Sequence, residues 1–496
     1  MKLNDLLSKI QTKLNIPSSV DLDQEITGVS TDSQKIEKGY IFLGLPGSKV
    51  DGGQFWFESI KSGAVAAVVS TKAASKFPAQ SGECLIESES IENACAEIAA
   101  AFYGFPSKKL KMIAVTGTNG KTTTTHLVEF FLKECQKPTA LIGTLYTRWT
   151  GYQKTALHTT PFAVELQEQL FRAQEAGCRY SVMEVSSHAL SQGRIKQCSF
   201  DVAIFSNLTQ DHLDYHQNME EYFQAKALLF SPEFLKGKAI INIDDSYGRR
   251  LCNSLPSEQI WTYAISNESA DFYTKNLDYR SNGVSGTLVT PQGNFTFSSP
   301  LVGQFNLSNL ISAIAAMSYL EIPLEKIIAQ LPSFEGVPGR MERINIDQNQ
   351  DIGVIVDYAH TPDSLENLLK ASRPFISGKM ICVFGCGGDR DRTKRPLMGN
   401  IATNLADYTI VTSDNPRTED PQIIINDIVQ GTNGISCFEV ITDRAQAIAQ
   451  AIKMAQSGDG VLIAGKGHED YQILGTQKIH FDDRIESAKA LKKRIF

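Results

Sequence analysis

Residues Gly117-Thr118-Asn119-Gly120-Lys121-Thr122 combine a glycine-rich turn with a lysine and a hydroxyl. That is the composition of a phosphate-binding loop. Backbone N–H groups from 117 to 122 can wrap an anion at a helix N-terminus, where the dipole also favours negative charge. Lys121 would then reach a terminal phosphate and the Thr122 hydroxyl would take one position on Mg²⁺, with Thr116 closing the strand before the loop. The spelling is unusual. The pattern G-x-x-x-x-G-K-[ST] needs its first glycine at position 115, which is Val115. A capped helix after a glycine turn would explain one glycine and one threonine. It would not explain a lysine in the first helical turn, where a cation opposes the dipole.

Further along, Glu184 ends the apolar run "YSVMEVSS" and His212 follows "VAIFSN". A carboxylate and an imidazole at strand ends suit a divalent metal that carries phosphates, although either alone is more often a buried structural group. Lys226, in "YFQAKALLF", reads from its helix as a solvated surface lysine. "FNLSN" offers Asn306 either as a helix N-cap or as a ligand contact. Near the C-terminus, Asp414-Asn415-Pro416-Arg417 follows the strand "YTIVTS", Gly465 and Glu469 follow "GVLIAG", and Arg390 lies in "GCGGDRDR" after "MICVFG". Alone, "DNPR" could be a turn and a helix start. Two arginines and two acids at strand ends suit an amino acid whose far end is itself zwitterionic, with Arg417 a planar fork for a carboxylate. No G-x-S-x-G or other nucleophile signature is present.

These residues need strands that end where they sit. The chain has 496 residues, 42% hydrophobic and 21% charged, which predicts a globular protein of several domains. A net charge of −7 argues against a nucleic-acid surface, and no run reaches the roughly 20 apolar residues that span a bilayer. The N-terminus lacks the apolar core of a signal peptide. Nine scattered cysteines without a C-x-x-C pair fit a reducing cytoplasm. Short Val- and Ile-rich runs alternate with helical stretches, the pattern of mostly parallel sheets. Residues 283–298 read as an antiparallel hairpin around Pro-Gln-Gly. We expect three α/β domains: 1–104, a substrate domain; 105–338, a P-loop domain on a mostly parallel sheet; and 339–496, a Rossmann-like doubly wound domain, with ligands at the carboxyl ends of the strands.

"TGTNGKTTT", "LHTTP", "MEVSSHALSQGRI", "SNLTQDHLDYH", "YFQAKALLF", "LVGQFNLSN" and "VDYAHTPDSL" occur in an order that resembles the Mur ligases, which build the peptidoglycan peptide, and the related folylpolyglutamate synthetases. The resemblance implies ATP as co-substrate and Mg²⁺ as cofactor. It implies a carbamylated Lys226 beside Glu184, His212 and Thr122 on the metal, and Asn306, Asp357 and His360 on the nucleotide. It assigns Ser33 and the "GSKVDG" loop (47–52) to a uridine diphosphate. Thr159, Thr160, Ser186, Gln192 and Arg194 would hold the rest of a UDP-N-acetylmuramoyl-L-alanyl-D-glutamate substrate.

Within the family, D-N-P-R marks the members that add meso-diaminopimelate, and lysine-adding relatives differ at the arginine. The expectation is therefore an ADP-forming amide ligase that works through an acyl phosphate, a cytoplasmic monomer with no nucleic-acid or membrane partner. A folylpolyglutamate-type ligase would have no reason for D-N-P-R. A transport or switch ATPase would need ordinary P-loop spacing, and a scaffold without turnover would have no need of Lys121, Glu184, His212 and Arg417 together.

Overall fold

The computed structural model describes residues 1–18, 21–47, 50–79, 83–280, 283–347, 350–432 and 437–495. The chain folds as two compact units. The first comprises Met1–Thr116, Gln136–Ile204 and Ala225–Ala239; the second comprises Gly117–Cys135, Phe205–Gln224 and the chain from Ile240 onward.

The first unit begins with strands β1 (Leu14–Asn15), β2 (Gly28–Ser30), β3 (Tyr40–Gly44), β4 (Ala66–Ser70) and β5 (Leu85–Ser88), in the order β1-β5-β4-β3-β2. β2 to β5 are parallel and β1 is antiparallel to β5. Helix Ile91–Phe102 turns Ile91, Cys95, Ile98 and Ala99 onto one face of this sheet, against Ile41, Leu43, Val68 and Ile86. Their i, i+4, i+7, i+8 spacing is what an amphipathic helix over a sheet requires.

A larger sheet follows: β6 (Lys111–Thr116), β7 (Thr139–Ile142), β8 (Tyr146–Trp149), β9 (Tyr152–Thr155), β10 (Tyr180–Glu184), β11 (Phe200–Phe205), β12 (Leu235–Asn242) and β13 (Ile260–Tyr263). Its order is β13-β12-β11-β6-β10-β7-β8-β9. β6 runs parallel to β10, and β10 parallel to β7. From Met112 to Thr116 every residue of β6 is buried, so the strand reads as one continuous apolar run. β7, β8 and β9 form an antiparallel edge. The sequence reading did not anticipate this edge, although the two-residue turn Thr150-Gly151, with φ +80° at Gly151, is a hairpin signal.

In the second unit the expected hairpin is present as β15 (Gly283–Thr290) against β16 (Gly293–Ser299). It is extended by an unexpected partner, β14 (Tyr273–Arg280). The C-terminal sheet contains β17 (Glu342–Arg343), β18 (Gly353–Asp357), β19 (Met380–Phe384), β20 (Tyr408–Val411), β21 (Phe438–Val440) and β22 (Gly460–Ala464), in the order β17-β18-β22-β19-β20-β21. All but β17 are parallel. One face packs on Leu365, Leu369, Met398 and Ile425, from helices Pro362–Ser372, Lys394–Leu405 and Pro421–Val429. The other packs on Ala447, Ile448 and Ile452 from helix Arg444–Met454 and on Leu491. Helices on both faces make this the doubly wound sheet the alternation predicted. A short hairpin, β23 (Tyr471–Leu474) with β24 (Gln477–His480), follows it.

Candidate active site

The loop after β6 is built around two glycines at which any side chain would be strained. Gly117 has φ +148° and a Cβ there would meet Ser206 Oγ at 1.9 Å; Gly120 has φ +89° and its Cβ would meet Asn309 Oδ1 at 2.3 Å. The loop is cross-tied. Thr118 N donates to Asn207 O (2.9 Å), Asn119 N to Asn207 Oδ1 (2.9 Å) and Ser206 Oγ to Asn119 O (2.6 Å). Thr118 Oγ1 lies 3.1 Å from the Tyr222 hydroxyl. Lys121 opens helix Lys121–Glu134 and its Nζ donates to Gly117 O and Thr118 O, both at 2.8 Å, so its charge is held over the loop. Arg340 donates to Thr122 Oγ1 (3.2 Å), and Asn119 Nδ2 to Asp363 Oδ2 (2.7 Å).

Asn306 is not an N-cap. Helix Gln304–Tyr319 is preceded by Gly303, whose φ of +91° ends the extended chain, and Asn306 is already helical, its Nδ2 donating to Val302 O (2.9 Å). His212 has φ +56° and its Nε2 lies 3.4 Å from Asp211. Burial pushes the Asp211 carboxyl up, but His212, Lys394 and His360 outweigh it and hold it well below the usual carboxylate range. Half-buried His360 stays neutral down to about 4, through burial and the Lys394 charge; its Nδ1 lies 2.8 Å from Tyr358 O. Buried Asp357 accepts from Met341 N at 2.6 Å, and its carboxyl is raised by burial.

Several residues expected to hold an amino acid lie around Gly387 and the loop 414–417. A Cβ at Gly387 would lie 2.9 Å from Arg417 Nη1 and 3.9 Å from Arg390 Cγ, so both arginine chains pass this glycine, the exposed Arg390 guanidinium donating to Asp389 O (2.9 Å). Arg417 adopts φ +53°, and its Nη1 donates to Gly388 O (2.7 Å). Asn415 Nδ2 donates to Glu469 Oε2 (2.8 Å). Gly465, at φ +119°, leaves room for Asp414, whose Oδ2 would sit 2.7 Å from a Cβ. Pro416 O reaches to 1.9 Å of a Cβ built at Gly388.

Sequence reasoning passed over Lys466. Fully buried, its Nζ donates to Asn415 Oδ1 (3.1 Å) and Glu469 Oε2 (2.9 Å). Burial pushes Asp414 up, while Lys466 and Arg444 outweigh it, leaving its carboxyl lowered. The β23–β24 hairpin was missed too. Gln472 Nε2 donates to Asp414 O (2.6 Å), Ile473 N to Asn415 Oδ1 (2.9 Å), and Arg417 N to Ile473 O (3.1 Å).

In the first unit Glu184 is fully buried, and Thr144, another residue not foreseen, donates to both its oxygens: N to Oε1 at 2.8 Å and Oγ1 to Oε2 at 2.9 Å. With that proton used, Thr144 Oγ1 can accept from the Thr159 hydroxyl 3.1 Å away. Thr160 Oγ1 donates to Glu184 O (2.9 Å) and accepts from Ser186 N (3.1 Å). Arg194 donates to Thr160 O (2.9 Å) and twice to Gln192 Oε1 (2.9 and 2.7 Å), with its guanidinium 4.0 Å from the Phe162 ring centroid. Thr159, Thr160, Ser186, Gln192 and Arg194 are thus brought together around Glu184. Ser33 opens the 3₁₀ turn Ser33–Lys35, and no bond described here joins it to that group. In "GSKVDG", residues 48 and 49 lie outside the described residues. Lys226 is 1% exposed, not the solvated surface lysine its helix suggested.

Among the described residues no three His, Cys, Asp or Glu side chains gather as a metal site. Of the donors assigned to Mg²⁺, the hydroxyl and the carboxylate suit a hard cation, whereas an imidazole is a donor more typical of softer metals. A buried lysine is the member that needs conversion, since an ammonium donates and cannot ligate.

Family models match in three consecutive segments: "Mur ligase family, catalytic domain" at residues 25–103, "Mur ligase middle domain" at 115–317, and "Mur ligase, glutamate ligase domain" at 339–467. The chain is 60% identical over 494 residues to the UDP-N-acetylmuramoyl-L-alanyl-D-glutamate–2,6-diaminopimelate ligase of Trichormus variabilis, covering 100% of this chain and 99% of the relative. It is 61% identical over 470 residues to the Synechocystis protein of the same name, covering 95% and 93%. A solved structure of a ligase of that name superposes with a TM-score of 0.69 at 35% identity, covering 100% and 99%. MurF from Acinetobacter baumannii shares the fold, with a TM-score of 0.68 at 19% identity over 100% and 98%. From the loop at Gly117 to the arginine pair at Gly387, and along nearly its whole length, this chain belongs to the Mur ligase family.

Proposed function

We propose that the chain is an ADP-forming amide ligase of peptidoglycan synthesis that joins meso-diaminopimelate to the D-glutamate of UDP-N-acetylmuramoyl-L-alanyl-D-glutamate. The reading rests above all on Arg417 and Arg390 flanking Gly387 while Asp414 and Glu469 line the same strand ends. In this reaction a substrate carboxylate oxygen attacks the γ-phosphorus of ATP, giving an acyl phosphate and ADP. The amine then adds to the acyl carbon, loses a proton, and expels phosphate as the amide forms.

The chain's part is alignment and charge. Loop amides from Gly117 to Thr122 and the Lys121 ammonium hold the phosphates. Asn306, Asp357 and His360 hold the rest of the nucleotide. Thr122, Glu184, His212 and a carbamylated Lys226 would hold Mg²⁺, which would supply positive charge against the clustered phosphate oxygens. Burial of Lys226 supports the carbamate, because a surface lysine of an amphipathic helix would be solvated and this one is 1% exposed.

Thr159, Thr160, Ser186, Gln192 and Arg194 hold the muramoyl-dipeptide, with Ser33 toward the uridine diphosphate. Arg417 and Arg390 take the distal carboxylate of diaminopimelate, and Asp414 and Glu469 its ammonium. Lysine lacks that carboxylate and would leave the arginines unanswered. We further assign domains to 1–104, 105–338 and 339–496, and read the enzyme as a cytoplasmic monomer. Phosphate release from ATP should require both the UDP-muramoyl-dipeptide and meso-diaminopimelate. Equal turnover with lysine would refute the amino-acid assignment; release with neither substrate would refute the ligase.

A further inference from the structure

A depression of about 500 Å³ opens where β6, β10, β11 and β12 begin, lined by Lys108, Lys109, Lys111, Arg179, Asp201 and Lys236. It lies at the far end of β6 from Thr116, which leads into the phosphate loop. Ligands of open α/β sheets bind at the carboxyl ends of strands, so this amino-end opening is not part of the site described above. Its charge is one-sided: five cations face one carboxylate, in a chain whose net charge is −7.

The one carboxylate is already engaged. Asp201 pairs with Lys111 at 2.8 Å and accepts from Met112 N at 2.9 Å. Among the described residues, Lys108, Lys109, Arg179 and Lys236 have no carboxylate partner. Lys108 lies over the Phe105 ring, 4.5 Å from its centroid, and Lys236 donates to Pro232 O at 2.5 Å. The walls are fixed. Ser107 Oγ donates to Gln197 O (3.0 Å), Lys111 N to Arg179 O (2.9 Å), Arg179 N to Pro138 O (2.9 Å) and Phe200 N to Phe234 O (2.7 Å). The four cations are exposed and screened by water, but the backbone that carries them is tied, so an anion meets them already gathered on one frame.

We propose that this depression binds the phosphate chain of a small phosphorylated ligand. Its volume is that of a small-molecule site. Arg179 offers a fork to phosphate oxygens and the lysines supply point charges. A single carboxylate would satisfy only one of the four cations, whereas two or three linked phosphates answer them all.

The test is calorimetric titration of the full chain with inorganic triphosphate at low ionic strength, comparing the wild type with a Lys109→Glu/Arg179→Glu double variant. The loop at Gly117–Thr122 is common to both, so the difference reports the depression. The wild type should bind two equivalents, and the variant should lose one or bind it at least tenfold more weakly. A charge-keeping Lys109→Arg/Arg179→Lys variant should keep both. Without added triphosphate the Lys109→Glu/Arg179→Glu variant should turn over its ligase substrates as the wild type does. Uridine triphosphate binding there more tightly than inorganic triphosphate would assign a nucleotide; equal binding would assign the phosphate chain alone. Identical titrations for wild type and the charge-reversed variant, or loss of turnover in that variant, would overturn the proposal.

Discussion

Lys466 has no exposed surface and joins two residues of the proposed amino-acid pocket, Asn415 and Glu469. Removing one partner of a buried pair costs about 3–5 kcal/mol, because the other charge is left uncompensated. Lys466→Met should therefore lower stability by about 3 kcal/mol, read by urea unfolding, and raise KM for diaminopimelate at least tenfold with KM for ATP nearly unchanged. A pH profile separates positioning from general damage. Lys466 is the leading charge that holds the Asp414 carboxyl down against burial. Losing it moves the Asp414 carboxyl upward, so as pH is lowered the variant's KM for diaminopimelate should begin to climb at a higher pH than the wild type's. Parallel profiles would leave Lys466 a structural residue only. At Arg417, Arg417→Lys keeps the charge and loses the fork, and should raise KM for diaminopimelate about tenfold, on the order of 1.4 kcal/mol, without moving that for ATP. A candidate site was legible at this scale because Arg417, Asp414 and Glu469 are polar residues at strand ends. Lys466 was not, since a lysine between two glycines carries no sequence mark of burial.

Elements decide whether such residues meet. β6, β10, β18, β19 and β22 were legible because strands buried on both faces are continuous apolar runs ended by polar residues. β8, β9, β23 and β24 were not, because their exposed alternation differs little from loop sequence, yet Gln472 and Ile473 of β23 fix the 414–417 loop. The shortened phosphate loop shows the same dependence on partners outside itself. Its glycine pattern was visible, but Ser206, Asn207 and Asn309, which set its shape, lie far along the chain. Gly120→Ala tests this. The φ of +89° and the Asn309 side chain at 2.3 Å both oppose a methyl group. We expect a loss of about 1–3 kcal/mol in stability and at least tenfold weaker ATP binding by calorimetry, partly restored by Asn309→Gly. Wild-type ATP affinity in Gly120→Ala would mean the loop does not hold the phosphates.

For the molecule as a whole, an acidic chain must gather its cations where anions are handled, and in the second unit that gathering makes neutral histidines. His468 packs on Tyr358, with ring centroids 5.0 Å apart, and its Nδ1 has no hydrogen-bond partner among the described residues. Burial, then Arg340 and Arg484, lowers its pKa to about 3. An unfolded chain would protonate the same ring near pH 6.5. Between those values the unfolded state binds a proton that the folded state refuses, so stability falls as pH is lowered through that window and levels off below it. The ring is partly exposed, so solvent screening reduces the effect to about 1–2 kcal/mol. Asp211 acts in a separate window. Its carboxyl is lowered below the usual 3.8, so its contribution is complete above about pH 4 and is lost only in stronger acid. Melting temperature measured from pH 7 to pH 4 should therefore fall less steeply in His468→Gln than in the wild type. Asp211→Asn should keep the wild-type slope over that range and differ from it only below pH 4. If His468→Gln follows the wild-type slope, this half-buried imidazole is not the group that loses stability in mild acid.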